Sequence, residues 1–515
     1  MPEMLDARMP TGGRPRQLCA RTLMLGIMIA LDAGRPAHLE AAHRALSALE
    51  LGDQLALKVA VVGNGECQVA TYRQIEDAFS VMCRSIDPSP VPSFQGVSET
   101  ARAAHLEAVR ARIDVSSRSA ALSWVADALL EASVPDTYKT SGTSLAVDWT
   151  DHETWSRPRA RHDEQPANDP DASFGHAKRN APGAKDCVFF GYYAQVATMV
   201  ADEGAARVPE LVRRIAFQAP RLDPAGVMAV TLGRMSTDGI ELGDVLADCG
   251  YSNRAPATWA RPLRAAGARL VMDLHPNDRG QKGTFEGAIC ANGQLYCPRT
   301  PTALLGLGPL RRGASPEEKT THDLSCDELA RYKLAPVTKP DGDGYERVAC
   351  PASAGKLRCP LKASSMALSA GNPSVLDPPK GEIPRCCAQQ TITVPPQVNE
   401  KTRQKHAYPG AAFRLSYARR TAAERAYASL CDPSVGGICR GWCRLFGLAK
   451  NTVMYALGVV VRNVRIAESF EASQAEAARR ATMGDPRQRR RRRRHQRDEP
   501  APDEPARNKP PALPG

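Results

Sequence analysis

The sequence predicts an α/β fold, preceded by an all-helical region and interrupted by an irregular insertion. Three changes of pattern predict it. Residues 1–138 repeat apolar side chains at helical spacing, residues 139–285 change to short runs rich in β-branched and aromatic residues, and residues 286–408 lose periodicity in favour of Pro, Gly and Cys. Helical pattern returns over 409–480, and 481–515 is a basic, Pro-rich tail expected to be disordered. A chain of 515 residues is long for one core, so two to four structural units are expected.

The N-terminal apolar run LMLGIMIAL (23–31) is too short for a membrane span, lacks a small-residue cleavage site and runs into Asp32. It is therefore read as a helix of a cytoplasmic protein rather than as a leader, and no other segment could span a bilayer. Leu39, Ala42, Leu46 and Leu49 recur at helical spacing. Thr71 and Gln74 form a capping box for a helix with Ile75, Phe79, Met82 and Ile86 on one face. Pro88 and PSPVPS close that unit, and a further helical stretch covers 100–132. Such a region suits DNA recognition, with a plain packing domain as the rival, and no recognition helix stands out. The fragment Gly63-x-Gly65 has no third glycine and no P-loop lysine, so nucleotide binding is discarded.

The strands of the middle region are SLAVD (144–148), CVFFGYYAQVATMV (187–200, one long strand or a hairpin), RRIAFQAP (213–220), DVLAD (244–248) and RLVMDL (269–274). Asp223-Pro224 caps and opens a helix with Met228, Leu232 and Met235 on one face. Residues 254–267 read as a second helix, broken near Pro262. The order is three strands, helix, strand, helix, strand. NDRGQKG (277–283) is read as a flexible basic loop, either near DNA or an ordinary turn.

A plain loop longer than a hundred residues is uncommon inside a compact domain, so 286–408 is read as an inserted subdomain. Seven of the fifteen cysteines fall there: Cys290, Cys297, Cys326, Cys350, Cys359, Cys386 and Cys387. A structural Zn²⁺ is one reading of them. The absence of a C-x2-C pair and the adjacency of Cys386 and Cys387 favour packing instead. Cys439 and Cys443 are likewise read as packing residues. An odd number of cysteines in a long chain points to reduced thiols.

The formal charge is +12, from 68 Lys and Arg against 56 Asp and Glu. That balance favours a polyanionic partner. Much of the excess sits in Arg487, Arg489–Arg494 and Arg497, a run expected to bind nucleic acid without sequence preference, with an unselected solvated tail as the rival. Aromatic residues make up 5% of the chain, which argues against base stacking on single strands.

Three carboxylates carry the chemistry. Asp148 and Asp248 each end an apolar strand run, and Glu424 lies on the later helix YARRTAAERAY with Tyr417 two turns and Arg420 one turn before it. Oxygen ligands of this kind suit Mg²⁺ or Mn²⁺, and two such ions stabilise both the attacking and leaving oxygens of an in-line displacement. Taken singly, each aspartate reads more readily as a helix cap or turn residue, and Arg420–Glu424 as an i,i+4 ion pair on a solvated helix. Asp151 rivals Asp148, and Asp244 rivals Asp248 less strongly.

At these residues the chain resembles the DDE transposases of bacterial insertion sequences. Tyr417-x2-Arg420-x3-Glu424 matches that family's third-acid signature, DWT (148–150) its first-acid motif and DCGY (248–251) its second. Seven residues beyond the glutamate, after six intervening positions, the family has a lysine; here it is Cys431, so that lysine's DNA contact does not carry over. The resemblance covers roughly 140–285 and 405–470. It implies a ribonuclease H-like mixed five-stranded sheet flanked by helices, with an insertion between the second and third acids, here 176 positions apart. It also implies Asp148, Asp248 and Glu424 as catalytic ligands of two Mg²⁺ or Mn²⁺ ions, with Tyr417 and Arg420 on DNA. The implied activity is cleavage of double-stranded DNA at element ends and transfer of the 3′-hydroxyl to target DNA. A homodimer on DNA and association with the nucleoid are expected with it. The alternatives are a nuclease on the same core without strand transfer, and an inactive DNA-binding remnant of a mobile element.

Overall fold

Strand β1 (Ser144–Glu153) is the axis of the main sheet. The computed structural model describes residues 1–10, 17–63, 66–90, 98–158, 167–177, 187–311, 313–432, 435–438 and 443–483. These divide into two compact units, Met1–Ala467 and Glu468–Gly515.

In the first unit, β1 pairs antiparallel with β3 (Cys187–Val200) and parallel with β5 (Asp244–Ala247), which in turn pairs parallel with β6 (Arg269–Met272). Two strands share the other edge of β3. The ribbon β2 (Ser173–Ala177) covers its first residues, and β4 (Val212–Gln218) covers its second half. The result is a mixed α/β layer structure. Its strand-strand-strand-helix-strand-helix-strand order is the one the sequence predicted, with β2 added. β2 escaped notice because its stretch, SFGHA, offers a single large apolar residue, Phe174, and that residue is exposed. CVFFGYYAQVATMV is one strand, not a hairpin.

Alternation along the strands sorts the two cores. Leu145, Val147, Val245, Ala247, Leu270 and Met272 face one side, against helices α1 (Pro224–Thr237) and α2 (Ala260–Ala265). Asp223 caps α1 by accepting the Gly226 N–H at 3.3 Å, with Pro224 at the first helical position. The helix read over 254–267 shortens to α2, and it does not break at Pro262, which sits in the first turn, where the missing N–H would have had no intrahelical partner. Ala146, Leu246 and Val271 face the other side, where they share a core with the N-terminal helices and with α3 (Ala411–Tyr417), α4 (Thr421–Cys431) and α5 (Leu448–Thr482).

The N-terminal region is not all helical. Ala60–Gly63 and Glu66–Val69 pair antiparallel, where Val61, Val62 and Val69 favour extended backbone over helix. The Thr71–Gln74 capping box is formed, and Ile75, Phe79, Met82 and Ile86 are buried together. Gly65 lies outside the described residues.

The insertion is ordered around two three-stranded sheets, at 281–296 and 335–394, and the helix Pro316–Tyr332. That helix carried a legible signal: Ser315 and Glu318 form a capping box, with Pro316 at the first position. NDRGQKG is not a plain loop. Pro276–Asp278 is a 3₁₀ turn, and Gln281 onward is an edge strand.

The described residues of the second unit are the helical run from Glu468 to Thr482 and Met483, with Glu476 paired to Arg479 and Arg480. The arginine run 487–497 and Cys439 lie outside the described residues. No described helix is long and apolar enough to cross a membrane.

Candidate active site

Asp148 does not end its strand. Trp149, Thr150 and His152 favour extended backbone, and β1 continues to Glu153 against Gly191–Gln195 of β3. What brings Asp148 to Asp248 is register. Leu145 pairs with Val245 and Ala146 with Leu246 on parallel strands. Carried two residues further, the same offset sets Asp148 level with Asp248, and alternation puts both on the face of Ala146 and Leu246. Asp248 then caps a short helix, Cys249–Ser252, accepting the Gly250 N–H at 2.9 Å.

Helix α4 lies on that face. The Tyr427 hydroxyl is 2.7 Å from the Asp148 carbonyl and 2.8 Å from that of Ala194, tying α4 to β1 and β3. Just before α4, Arg420 sits between two of the carboxylates. Its Nη1 donates to Asp148 Oδ2 at 3.0 Å and its Nη2 to Glu424 Oε1 at 2.9 Å. Arg420 is largely buried, while Glu424 is half exposed. Tyr417 stacks on Phe413 with centroids 5.2 Å apart, and the Arg420 guanidinium is 5.9 Å from the Tyr417 ring centre.

Burial pushes the Asp148 carboxyl up to about 6, against the opposing pull of Arg420 and with help from the charge of Asp248. Burial also raises Tyr417. Arg420 is desolvated as well, but Tyr417, Asp148 and Asp248 together hold its pKa above the ordinary guanidinium value.

The structure therefore brings together all five residues singled out by sequence, with Arg420 as their hub. It also separates the rivals. Asp151 is three residues along an extended strand from Asp148, hence on the opposite face, and it is exposed. Asp244 is fully buried at the far end of β5, where it accepts from Arg269 Nε and Lys405 Nζ, each at 2.8 Å, and Arg419 Nη2 at 2.7 Å. Three cations on one carboxylate mark a structural fastening.

Sequence reasoning missed Asp273. It follows β6 on the face of Val271 and accepts from Tyr408 Oη at 2.9 Å and Arg279 Nη2 at 3.3 Å. Its charge reaches both Tyr417 and Cys249. The signal was available: LAVD, VLAD and LVMD are one apolar pattern closed by aspartate, three times.

These donors are hard oxygens, the kind Mg²⁺ and Mn²⁺ prefer. As they stand they are spread around a guanidinium, and no three His, Cys, Asp or Glu among the described residues are grouped to hold a metal ion. The donor chemistry fits a divalent cation, and occupancy would require Arg420 to give up Asp148 or Glu424. No family model matches the chain, and no curated protein matches it at a significant level.

Proposed function

We propose that this chain is a transposase of the DDE kind, cutting DNA at the ends of an insertion sequence and joining the freed 3′-hydroxyl to target DNA. One observation carries the reading: Asp148 on β1 and Asp248, just past the end of the parallel neighbour β5, lie close enough to feel each other's charge, and Arg420 joins Asp148 to Glu424 on the helix laid over the sheet. The strand order β4-β3-β1-β5-β6, antiparallel through β1 and parallel beyond it, is compatible with a ribonuclease H-like core. Asp148, Asp248 and Glu424 would hold the divalent ions, which when bound supply charge stabilisation at the attacking and leaving oxygens.

The chain's own residues supply the rest. Arg420 neutralises the carboxylates before DNA arrives, and a phosphate entering the site offers its guanidinium a bidentate partner in exchange. Asp148, with a pKa of about 6, is mostly ionised at neutral pH and so ready to accept a cation. Joining two element ends calls for two copies of the chain on DNA.

The test is cleavage of a labelled duplex carrying the ends that flank the gene, with Mg²⁺ or Mn²⁺, in wild type, Asp248→Ala and Glu424→Ala. Boundary-specific nicking lost in both variants, with strand-transfer products from a supplied 3′-hydroxyl end, supports the reading. Nicking without transfer points to a nuclease. Tight end binding without any cleavage by the wild type points to an inactive remnant, and cleavage surviving both substitutions removes the assigned site.

A further inference from the structure

Four cysteines of the insertion reach one place from separate segments. Cys297 follows the strand Gln294–Tyr296, and Cys350 follows the strand Glu346–Ala349. Cys359 lies in the loop beyond, and Cys387 in the helical turn Arg385–Ala388. All four are buried. Cys297, Cys350 and Cys359 share one apolar cluster, Cys387 belongs to the adjoining one, and Leu361 packs against both. Main-chain bonds fix the frame: the Cys297 N–H donates to the Tyr332 carbonyl at 2.9 Å, Cys350 to Gln390 at 3.2 Å and Cys387 to Pro384 at 2.8 Å. Charge on Cys387 or Cys350 is felt at both Cys297 and Cys359.

Two details set this cluster apart from ordinary packing of thiols. Three of the four cysteines open a Cys-Pro step: Cys297-Pro298, Cys350-Pro351 and Cys359-Pro360. In two of these turns the backbone N–H two residues on, of Arg299 and of Leu361, is directed at the sulfur. An amide aimed at sulfur favours thiolate over thiol. The cations Lys362 and Arg299 also stand near Cys387, whose sulfur is 3.9 Å from that of Cys386. Buried thiols beside groups arranged for thiolates are a mismatch that a soft divalent cation removes, because coordination deprotonates the sulfur outright.

We propose that Cys297, Cys350, Cys359 and Cys387 bind one structural Zn²⁺, with Cys386 positioning Cys387 from behind. Binding releases the thiol protons to solvent, and Arg299 and Lys362 offset the negative charge of the four-thiolate centre. The sequence spacing, with no C-x2-C pair, concealed the site because the four ligands converge only through the tertiary fold. No three of them stand at metal-ligand spacing, so binding requires the thiols to draw in to Zn–S distances of about 2.3 Å. The site is independent of the DNA-cleavage reading.

The experiment is elemental analysis of the full chain purified under reducing conditions, followed by Co²⁺ substitution and a search for thiolate-to-cobalt charge-transfer absorption. About one equivalent of zinc per chain and a strong thiolate band are expected. Cys297→Ser and Cys359→Ser should each weaken metal affinity at least about tenfold. Cys290→Ser, a buried cysteine outside the four, should leave it unchanged. If the ligand variants do not fold, the wild-type Co²⁺ titration alone decides. Absence of a thiolate band overturns the proposal, as does a band unchanged by both ligand substitutions.

Discussion

Arg420 grips Asp148 across 272 residues of chain, Nη1 to Oδ2 at 3.0 Å, while its second nitrogen holds Glu424 on its own helical run. One guanidinium thus joins a sheet strand to the helix laid over it. The two halves of the grip differ in weight. Glu424 is half exposed, where an ion pair contributes little, but Asp148 is mostly buried and pairs with no other cation among the described residues.

Arg420→Ala should therefore destabilise the chain by about 3 kcal/mol in urea unfolding, because it strands a buried carboxylate. Adding Asp148→Asn to that variant should restore most of the loss. A single variant within about 0.5 kcal/mol of wild type would show that the pair is not holding the two elements together.

The Asp148 carboxyl titrates near 6 when folded and near 3.8 when unfolded. Below both values it is protonated in either state and contributes nothing. As pH rises through that window the unfolded chain ionises first, so stability falls, by about 3 kcal/mol once both are ionised. Asp148→Asn should accordingly be more stable than wild type at pH 7, and the advantage should vanish below about pH 4. Unfolding curves at the two pH values check it; equal stability at pH 7 rejects the strained-carboxylate account.

His152, four residues along β1, works in the opposite sense over an overlapping range. Its ring sits edge-on to Phe217 and Tyr455, and burial pulls its pKa down to about 4 from 6.5. A depressed histidine gives stability that is present above 6.5 and lost as pH falls through the folded value. His152→Phe keeps a ring in the aromatic cluster and should remove that acid loss. A variant that loses stability between pH 6.5 and 4 as steeply as wild type would assign the loss elsewhere.

The two ends of β5 should separate structure from function. Asp244→Asn leaves Arg269, Lys405 and Arg419 facing a neutral group at a fully buried position, and should cost about 3–5 kcal/mol. Asp248→Ala removes one helix cap and should cost about 1 kcal/mol, while abolishing any metal-dependent cleavage. Thermal unfolding measured beside the cleavage assay distinguishes them, and a reversed order of stabilities would exchange their roles.

Much of the fold was legible because local physics fixed it. The Asp223-Pro224 start of α1, the Thr71 capping box and the apolar strand runs depend on residues within one or two turns of each other. Where local pattern misled, a tertiary contact had overruled it. β1 runs past Asp148 because β3 offers it partners, and the 281–296 and 335–394 sheets are held by pairings that irregular sequence does not announce. Asp273 was missed although its strand repeats the pattern of the other two.

By itself, the sequence determined the periods of the long apolar runs: which of these are helix or strand, which face of each core strand is apolar, and where acids interrupt that face. It could not determine neighbours. That Asp148 comes level with Asp248 and not with Asp244, that Arg420 turns inward between two carboxylates, and that four scattered cysteines meet are all consequences of register and packing. Such contacts join residues tens to hundreds of positions apart, and only the close-packed arrangement of the whole sheet and its helices sets which of them form.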